Sequence, residues 1–173
     1  MHNLDEFRHE KDHFFADSPH SPLFGEQKAR FKGLEYFPEN LDLELELKLE
    51  EFDEKDEITM QTSTGDVQVY QRFGRVNFEV DGQEAALTVY NNEHGYFLPF
   101  VDSQAGVDTY PAGRYLEPVP LAGGKIGINF NLAYNPYCAY NDMWSCPFPP
   151  AENRLEVPIR AGEKIFELSG LHV

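Results

Sequence analysis

The sequence predicts a mainly β protein: a single-domain antiparallel β-sandwich or barrel over residues 1–173, with residues 1–33 as a helical N-terminal arm packed on the β domain. Three observations predict it. From Leu41 to Glu50, leucines alternate with Asp, Glu and Lys, which is the period of a half-buried strand. Short segments rich in β-branched and aromatic residues then recur, separated by turn pairs such as Asp81-Gly82 and Gly123-Gly124. The helical period is confined to the N-terminus. Strands this closely spaced leave no room for the crossover helices that a parallel sheet requires.

The elements follow in order. Leu4, Phe7, Lys11 and Phe14 or Phe15 form one stripe, so Asn3 to Ala16 reads as a helix, with Asn3 as N-cap and Glu6 three residues on. Asp17-Ser18-Pro19 stops it. A second helical piece, Glu26 to Phe31, is closed by Gly33. The leucines at 41, 43, 45, 47 and 49 are expected on the core face of the first strand. Further strands are expected at Glu57–Thr62, Val67–Phe73, Arg75–Val80, Ala85–Tyr90, Tyr96–Val101, Arg114–Pro118 and Lys125–Asn131, with a last one at Lys164–Leu168.

With 14 basic and 30 acidic residues the formal charge is −16. That balance repels nucleic acid and anionic membranes, so neither is an expected partner. There is no apolar run long enough to span a bilayer, and Met1 to Phe15 is charged throughout, unlike a cleavable signal peptide. A cytoplasmic protein is expected. The two cysteines, Cys138 and Cys146, do not make a disulfide framework; they read as buried thiols or as a single bridge.

Motifs with a defined chemistry are scarce. His9-Glu10-Lys11-Asp12-His13 matches a zinc-protease pattern by letters, but on an amphipathic surface helix without a third ligand it reads as two solvated histidines, and no metal is expected. Asp102, Gly106 and Asp108 lack the spacing of a calcium loop and read as turn residues. No cofactor motif is present. The unusual stretch is Asn129 to Asn153, which combines asparagines, tyrosines, Trp144 and both cysteines with prolines that fix its path. A long, rigid, aperiodic connection of this kind is where binding groups gather.

The ligand-binding candidates are Asp102, Tyr110, Arg114, Asn129, Asn131, Tyr134, Asn135 and Asn153. Arg114 is the cation able to clamp a carboxylate or phosphate, against a bland reading as a salt bridge to Asp102 or Glu117. Arg114, Asn131, Tyr134 and Asn135 are expected to converge in one concavity, with a cysteine at its edge. Cys138 and Cys146 are the candidate nucleophiles for hydrolysis or acyl transfer. Expected partners are an anionic small molecule and a second copy of the chain. The competing reading is a non-enzymatic interaction or assembly protein that docks through the proline and aromatic strip 144–150.

Several runs carry a family resemblance. They are Phe31-Lys32-Gly33-Leu34-Glu35-Tyr36-Phe37-Pro38, Thr109 to Leu116, Asn129-Phe130-Asn131 through Tyr140, Cys146 to Pro150, Asn153-Arg154-Leu155 and Ile159 to Glu163. Together they resemble the prokaryotic family filed as domain of unknown function 1684. Arg8, Lys11, Asp12, Phe15 and Ser21-Pro22-Leu23 resemble its start, while His9 and His13 fall outside its motif. The resemblance implies a single cytoplasmic domain and no established reaction. Where the family's usual pattern often has Asp, this chain has Ile128, so no mechanism is assigned through that position.

Overall fold

The structure is a computed structural model that describes residues 3–167. Helix α1 spans Leu4–Asp17, and Asn3 caps it by accepting the Glu6 N–H at 3.2 Å. A one-and-a-half-turn helix, α2, spans Gly25–Arg30. Among the described residues nine strands follow: β1 (Glu44–Lys48), β2 (Glu50–Glu51), β3 (Glu57–Gln61), β4 (Val67–Val80), β5 (Gln83–Asn92), β6 (Gly95–Phe100), β7 (Arg114–Leu116), β8 (Val119–Pro120) and β9 (Lys125–Asn129). They make two antiparallel sheets, a small one ordered β1-β9-β8 and a large one ordered β2-β4-β5-β6-β7, in which β3 also pairs with β4. Neither sheet closes, so the arrangement is sandwich-like rather than a barrel. Among the described residues, no helix is long and apolar enough to cross a membrane.

The small sheet lays its apolar residues on the large one. Leu45 faces Ile128 and Leu47 faces Ile126 across the β1–β9 ladder. Ile126, Ile128, Leu43 and Phe130 share one core with Val76, Phe78, Leu87, Val89, Leu98 and Phe100 of the large sheet. Leu45, Leu47 and Leu49 are partly buried against that core, as their alternation predicts. Leu41 departs from the expectation and is 69% exposed. The reason is local: Asn40 caps a 3-10 turn at Leu41–Leu43 by accepting the Asp42 N–H at 3.0 Å, so extended backbone begins only at Glu44.

The expected strands at 67–73 and 75–80 are a single strand, β4. Its register to β5 shifts between Arg72 and Gly74, leaving Phe73 as the extra residue of a β-bulge. The bulge exchanges faces. Before it, Tyr70 belongs to an aromatic cluster on the outer face; after it, Val76, Phe78 and Val80 point into the aliphatic core. Gly74 is required by a close approach, because a Cβ there would meet the Glu50 carbonyl oxygen of β2 at 2.7 Å.

The C-terminal segment is a second departure. Leu155, Val157, Ile159 and Ala161 alternate into the aliphatic core, yet the segment forms no ladder. Backbone pairing holds its two ends, with the Leu155 N–H on the Val101 carbonyl at 2.7 Å, the Ser103 N–H on the Val157 carbonyl at 3.1 Å and the Glu163 N–H on the Ala133 carbonyl at 2.9 Å, and side chains serve the middle. The Arg114 guanidinium donates to the carbonyls of Ile159 (2.9 Å), Ala161 and Glu163 (3.0 Å), and Asp102 accepts the Ile159 N–H at 2.7 Å. Of the strand expected at Lys164–Leu168, residues 164–167 are irregular and Leu168 lies outside the described residues.

Helix α1 is tied to this frame by an ion pair between Lys11 and the buried Glu163. Phe15 packs with Leu23, Leu34 and Tyr140, while Asp12 accepts the Leu34 N–H at 3.0 Å. His9 and His13 stand exposed on the opposite side, with His13 beside Asp17 at 3.1 Å.

Candidate functional site

The aperiodic stretch after β9 is held at both ends by buried amides. Asn131 accepts the Asn40 N–H at 2.8 Å and donates to the Asn40 carbonyl and to Asn129 Oδ1, each at 2.9 Å. Asn153 accepts the Thr88 N–H at 2.8 Å and donates to the carbonyls of Thr88 and Pro99 at 2.9 Å. The Asn153 bonds satisfy strand edges that no other strand covers, and the Asn131 bonds satisfy the backbone of Asn40 just before the 3-10 turn. Between the clamps, Tyr134 pairs with Tyr115 backbone to backbone, at 2.9 and 3.1 Å. Pro136 starts the 3-10 turn Tyr137–Ala139, and Pro150 starts another at Ala151–Asn153.

The stretch therefore lies across the outer face of the large sheet, over Met60, Tyr70, Tyr90, Phe97 and Tyr115. Its far limb is fixed by the turn after β3. The Ser63 hydroxyl donates to the Trp144 carbonyl at 2.8 Å and accepts the Cys146 N–H at 3.2 Å. Asp66 accepts from Thr62, Thr64 and Ser145 hydroxyls, which holds its carboxyl well below the usual carboxylate range.

Rings packed in this way leave a gap. A cleft of about 720 Å³ runs between α1 and the stretch, with Phe7, Phe14 and Lys11 on one side, Trp144 and Cys146 on the other, and Tyr134 and Tyr137 among its lining. Lys11 is its cation, already paired with Glu163, and Glu10 stands beside it. The Trp144 indole N–H is buried without an acceptor. A second cleft, of about 560 Å³, lies over the small sheet and is rimmed by Glu44, Glu46 and Glu117.

The cysteines meet at the back of the aromatic layer. The Cys138 N–H donates to Cys146 Sγ at 3.2 Å, and the Tyr110 hydroxyl is 3.8 Å from Cys138 Sγ. A hydrogen bond from the Cys146 thiol, aided by that of Tyr110, outweighs desolvation and lowers Cys138 from the ordinary thiol value to about 6. Cys146, as the donor in that bond and a buried group, is pushed far up. Burial and the neighbouring Cys138 push Tyr110 up, so it keeps its proton.

The structure does not bring Arg114, Asn131, Tyr134 and Asn135 into one concavity. Arg114 is 1% exposed, 3.9 Å from Asp102, and its donors serve the C-terminal carbonyls. Burial lowers its pKa to about 10, so it remains charged at neutral pH. Gly113 allows this placement, because its φ is +98° and a Cβ would meet the Phe100 carbonyl oxygen at 2.5 Å. The expected anion clamp is thus a structural strut. Asp102 is occupied by Thr109 and Ile159; the Asn135 backbone N–H donates to the Glu163 carboxylate (3.0 Å) and its side-chain N–H to the Lys164 carbonyl (2.9 Å), while its Oδ1 is buried without a partner. Asn129, Asn131 and Asn153 bind backbone or each other. Of the residues singled out in the sequence, Tyr134 and Cys146 line the aromatic cleft.

Sequence reasoning missed Phe7, Phe14, Lys11 and Tyr137 as cleft residues. The helical stripe of α1 was the available signal: Phe14 is 38% exposed at the mouth, a large apolar side chain that the helix leaves uncovered. The docking strip 144–150 is folded in at its centre, where Cys146 and Pro147 are buried and the Pro147 carbonyl accepts the Tyr115 hydroxyl. Phe148, at 41% exposure, is its open ring.

Fold and site define a small antiparallel β protein with an aromatic cleft and a thiol pair. The sequence profile of a family described as "Protein of unknown function (DUF1684)" matches residues 29–164, and the chain belongs to that family. It is also similar to a solution NMR structure, the uncharacterized protein from gene locus rrnAC0354 of Haloarcula marismortui. The two are 34% identical with a TM-score of 0.70, over 98% of this chain and 94% of that one. No curated protein matches the chain.

Proposed function

We propose that this is a small-molecule-binding protein whose ligand is an apolar, ring-bearing compound held in the cleft between α1 and Tyr134–Pro147. The observation that carries the reading is the cleft itself: about 720 Å³, within the range of ligand pockets, walled by aromatic rings with few polar groups. The expected anionic preference has no support from Arg114, and Lys11 is neutralised by Glu163. An uncharged or weakly polar ligand fits better. The hydrolytic form of this reading rests on Cys138 and Cys146. No histidine among the described residues hydrogen-bonds to either thiol, so binding is the better-supported function. A cytoplasmic setting, where thiols stay reduced, belongs to the same reading.

The test is titration of the protein with anilinonaphthalene sulfonate, an environment-sensitive aromatic dye, followed by displacement with neutral aromatic alcohols. Trp144 is the sole tryptophan, so its emission reports directly on the wall. Saturable binding at one site is expected, with Phe14→Arg weakening it about tenfold, the effect of losing roughly 1.4 kcal/mol of apolar contact. Absence of saturation, or equal binding by Phe14→Arg, overturns the reading. Sedimentation as a dimer that Phe14→Arg splits assigns the cleft to a second copy of the chain instead.

A further inference from the structure

We propose that Cys138 and Cys146 form a redox-active dithiol, in which Cys138 is oxidised by a hydroperoxide and Cys146 resolves the product into an intramolecular disulfide. The inference does not depend on a ligand in the cleft. It stands first on geometry. The two cysteines are eight residues apart, and the chain between them turns back so that the Cys138 N–H reaches Cys146 Sγ at 3.2 Å. Cys146 is fixed from outside the loop by Ser63, through its N–H at 3.2 Å and its carbonyl at 3.0 Å, while Cys138 sits within the 3-10 turn Tyr137–Ala139. The two cysteines are therefore held side by side while both remain free thiols.

The two sulfurs differ in the way a peroxide-reactive pair requires. Cys138 is partly exposed and Cys146 buried. The Cys146 thiol and the Tyr110 hydroxyl both stabilise negative charge on Cys138. Ser63 contributes less to that charge, because its hydroxyl hydrogen is already directed at the Trp144 carbonyl at 2.8 Å. A thiolate that is accessible and backed by a second thiol is the arrangement found in oxidant-sensing sites.

The chemistry balances as follows. The Cys138 thiolate attacks the terminal oxygen of a hydroperoxide; an S–O bond forms, the O–O bond breaks, and the alkoxide or hydroxide leaves and takes a proton from water. Cys138 is now a sulfenic acid. The Cys146 sulfur attacks it, the S–S bond forms, and the hydroxyl departs with the Cys146 proton as water. A small dithiol reductant reverses the bridge by thiol–disulfide exchange, becoming oxidised as both cysteines regain their protons.

The experiment exposes reduced full-length protein to hydrogen peroxide, then alkylates it and measures its mass with and without dithiothreitol. Wild type is expected to lose two hydrogens, to lose both alkylation sites together, and to regain them with dithiothreitol. In Cys146→Ser, dimedone is expected to label Cys138. In Cys138→Ser, oxidation at neutral pH should slow about tenfold, the ratio expected between a largely ionised thiol and an ordinary one after allowing for lower nucleophilicity. The wild-type rate should rise with pH through a midpoint near 6. Independent alkylation of the two cysteines after peroxide overturns the proposal, as does crosslinking only between chains. The wild-type mass measurement decides the matter even where a serine variant does not fold.

Discussion

The two faces of the large sheet solve the same problem with different materials. The face toward the small sheet buries Val76, Leu87, Val89 and Leu98 among mostly aliphatic partners, with Phe78, Phe100 and Phe130 as its rings, strand against strand. The opposite face buries Tyr70, Tyr90, Phe97 and Tyr115 beneath an aperiodic stretch with its own aromatic residues. Aliphatic side chains interdigitate to near-crystalline density. Rings prefer edge-to-face contacts, here Phe97 on Tyr115 at 4.9 Å and Tyr137 on Trp144 at 5.3 Å, and such packing tiles a surface less completely. The first face is closed, while the second retains a cleft and a thiol pair.

The largest expected effect lies where the two faces are joined. Arg114 holds the middle of the C-terminal segment, so Arg114→Ala leaves the carbonyls of Ile159 and Glu163 without donors and Asp102 without its nearby cation. The expected cost is about 3–5 kcal/mol, read by urea denaturation. Arg114→Lys should recover little of it, because one ammonium cannot reach three carbonyls along an extended chain. A folded Arg114→Ala protein of near wild-type stability would break the account of Arg114 as a strut and return it to the list of ligand groups.

A smaller contrast separates the faces themselves. Leu98→Ala opens the aliphatic layer and is expected to cost about 2–5 kcal/mol. Phe14→Ala, at the partly exposed mouth of the cleft, is expected to cost about 1 kcal/mol or less while weakening dye binding. Paired thermal melts and dye titrations check this. Equal losses of stability in both variants would mean that the aromatic face is as tightly closed as the aliphatic one.

The same contrast explains what the sequence made legible. Period-two alternation revealed the strands of the aliphatic core because burial on one face imposes it. It split β4 at Gly74, since a bulge that exchanges faces resembles a break in the pattern. The segment Leu155–Ala161 shows alternation without being a strand, because only its start pairs with backbone, at Val101–Ser103, and its middle is held by an arginine and an aspartate distant in sequence. The asparagines of 129–153 were legible as special but not in role. An amide that clamps a strand edge and one that orients a ligand are the same residue type, and only the position of the partner backbone separates them. The cleft needed α1, whose docking depends on Lys11 meeting Glu163 across 152 positions of sequence. Tyr134 and Cys146 were recognised because they lie in the stretch itself; Phe7, Phe14 and Lys11 were not.

The smallest expected effect concerns the turn that holds the aromatic face's outer limb. Asp66 gathers the hydroxyls of Thr62, Thr64 and Ser145, and these bonds keep its carboxyl well below the usual range. A group whose folded value is depressed contributes stability that is present above its unfolded value, near 3.9, and lost as pH falls through the folded one. The contribution of Asp66 is therefore expected to be full at neutral pH and to fade between about pH 5 and about pH 1. Because Asp66 is on the surface, solvent screens the effect and keeps it small. Asp66→Asn should be less stable than wild type at neutral pH, and the gap should narrow on acidification. Trp144 emission should shift in the same window, since Ser145 adjoins it and Ser63 holds its carbonyl. A gap that stays constant with pH would show that the carboxylate charge does not fasten this limb, and the anchoring would then rest on Ser63, the Pro147 carbonyl and the Phe148 N–H on the Gln61 carbonyl.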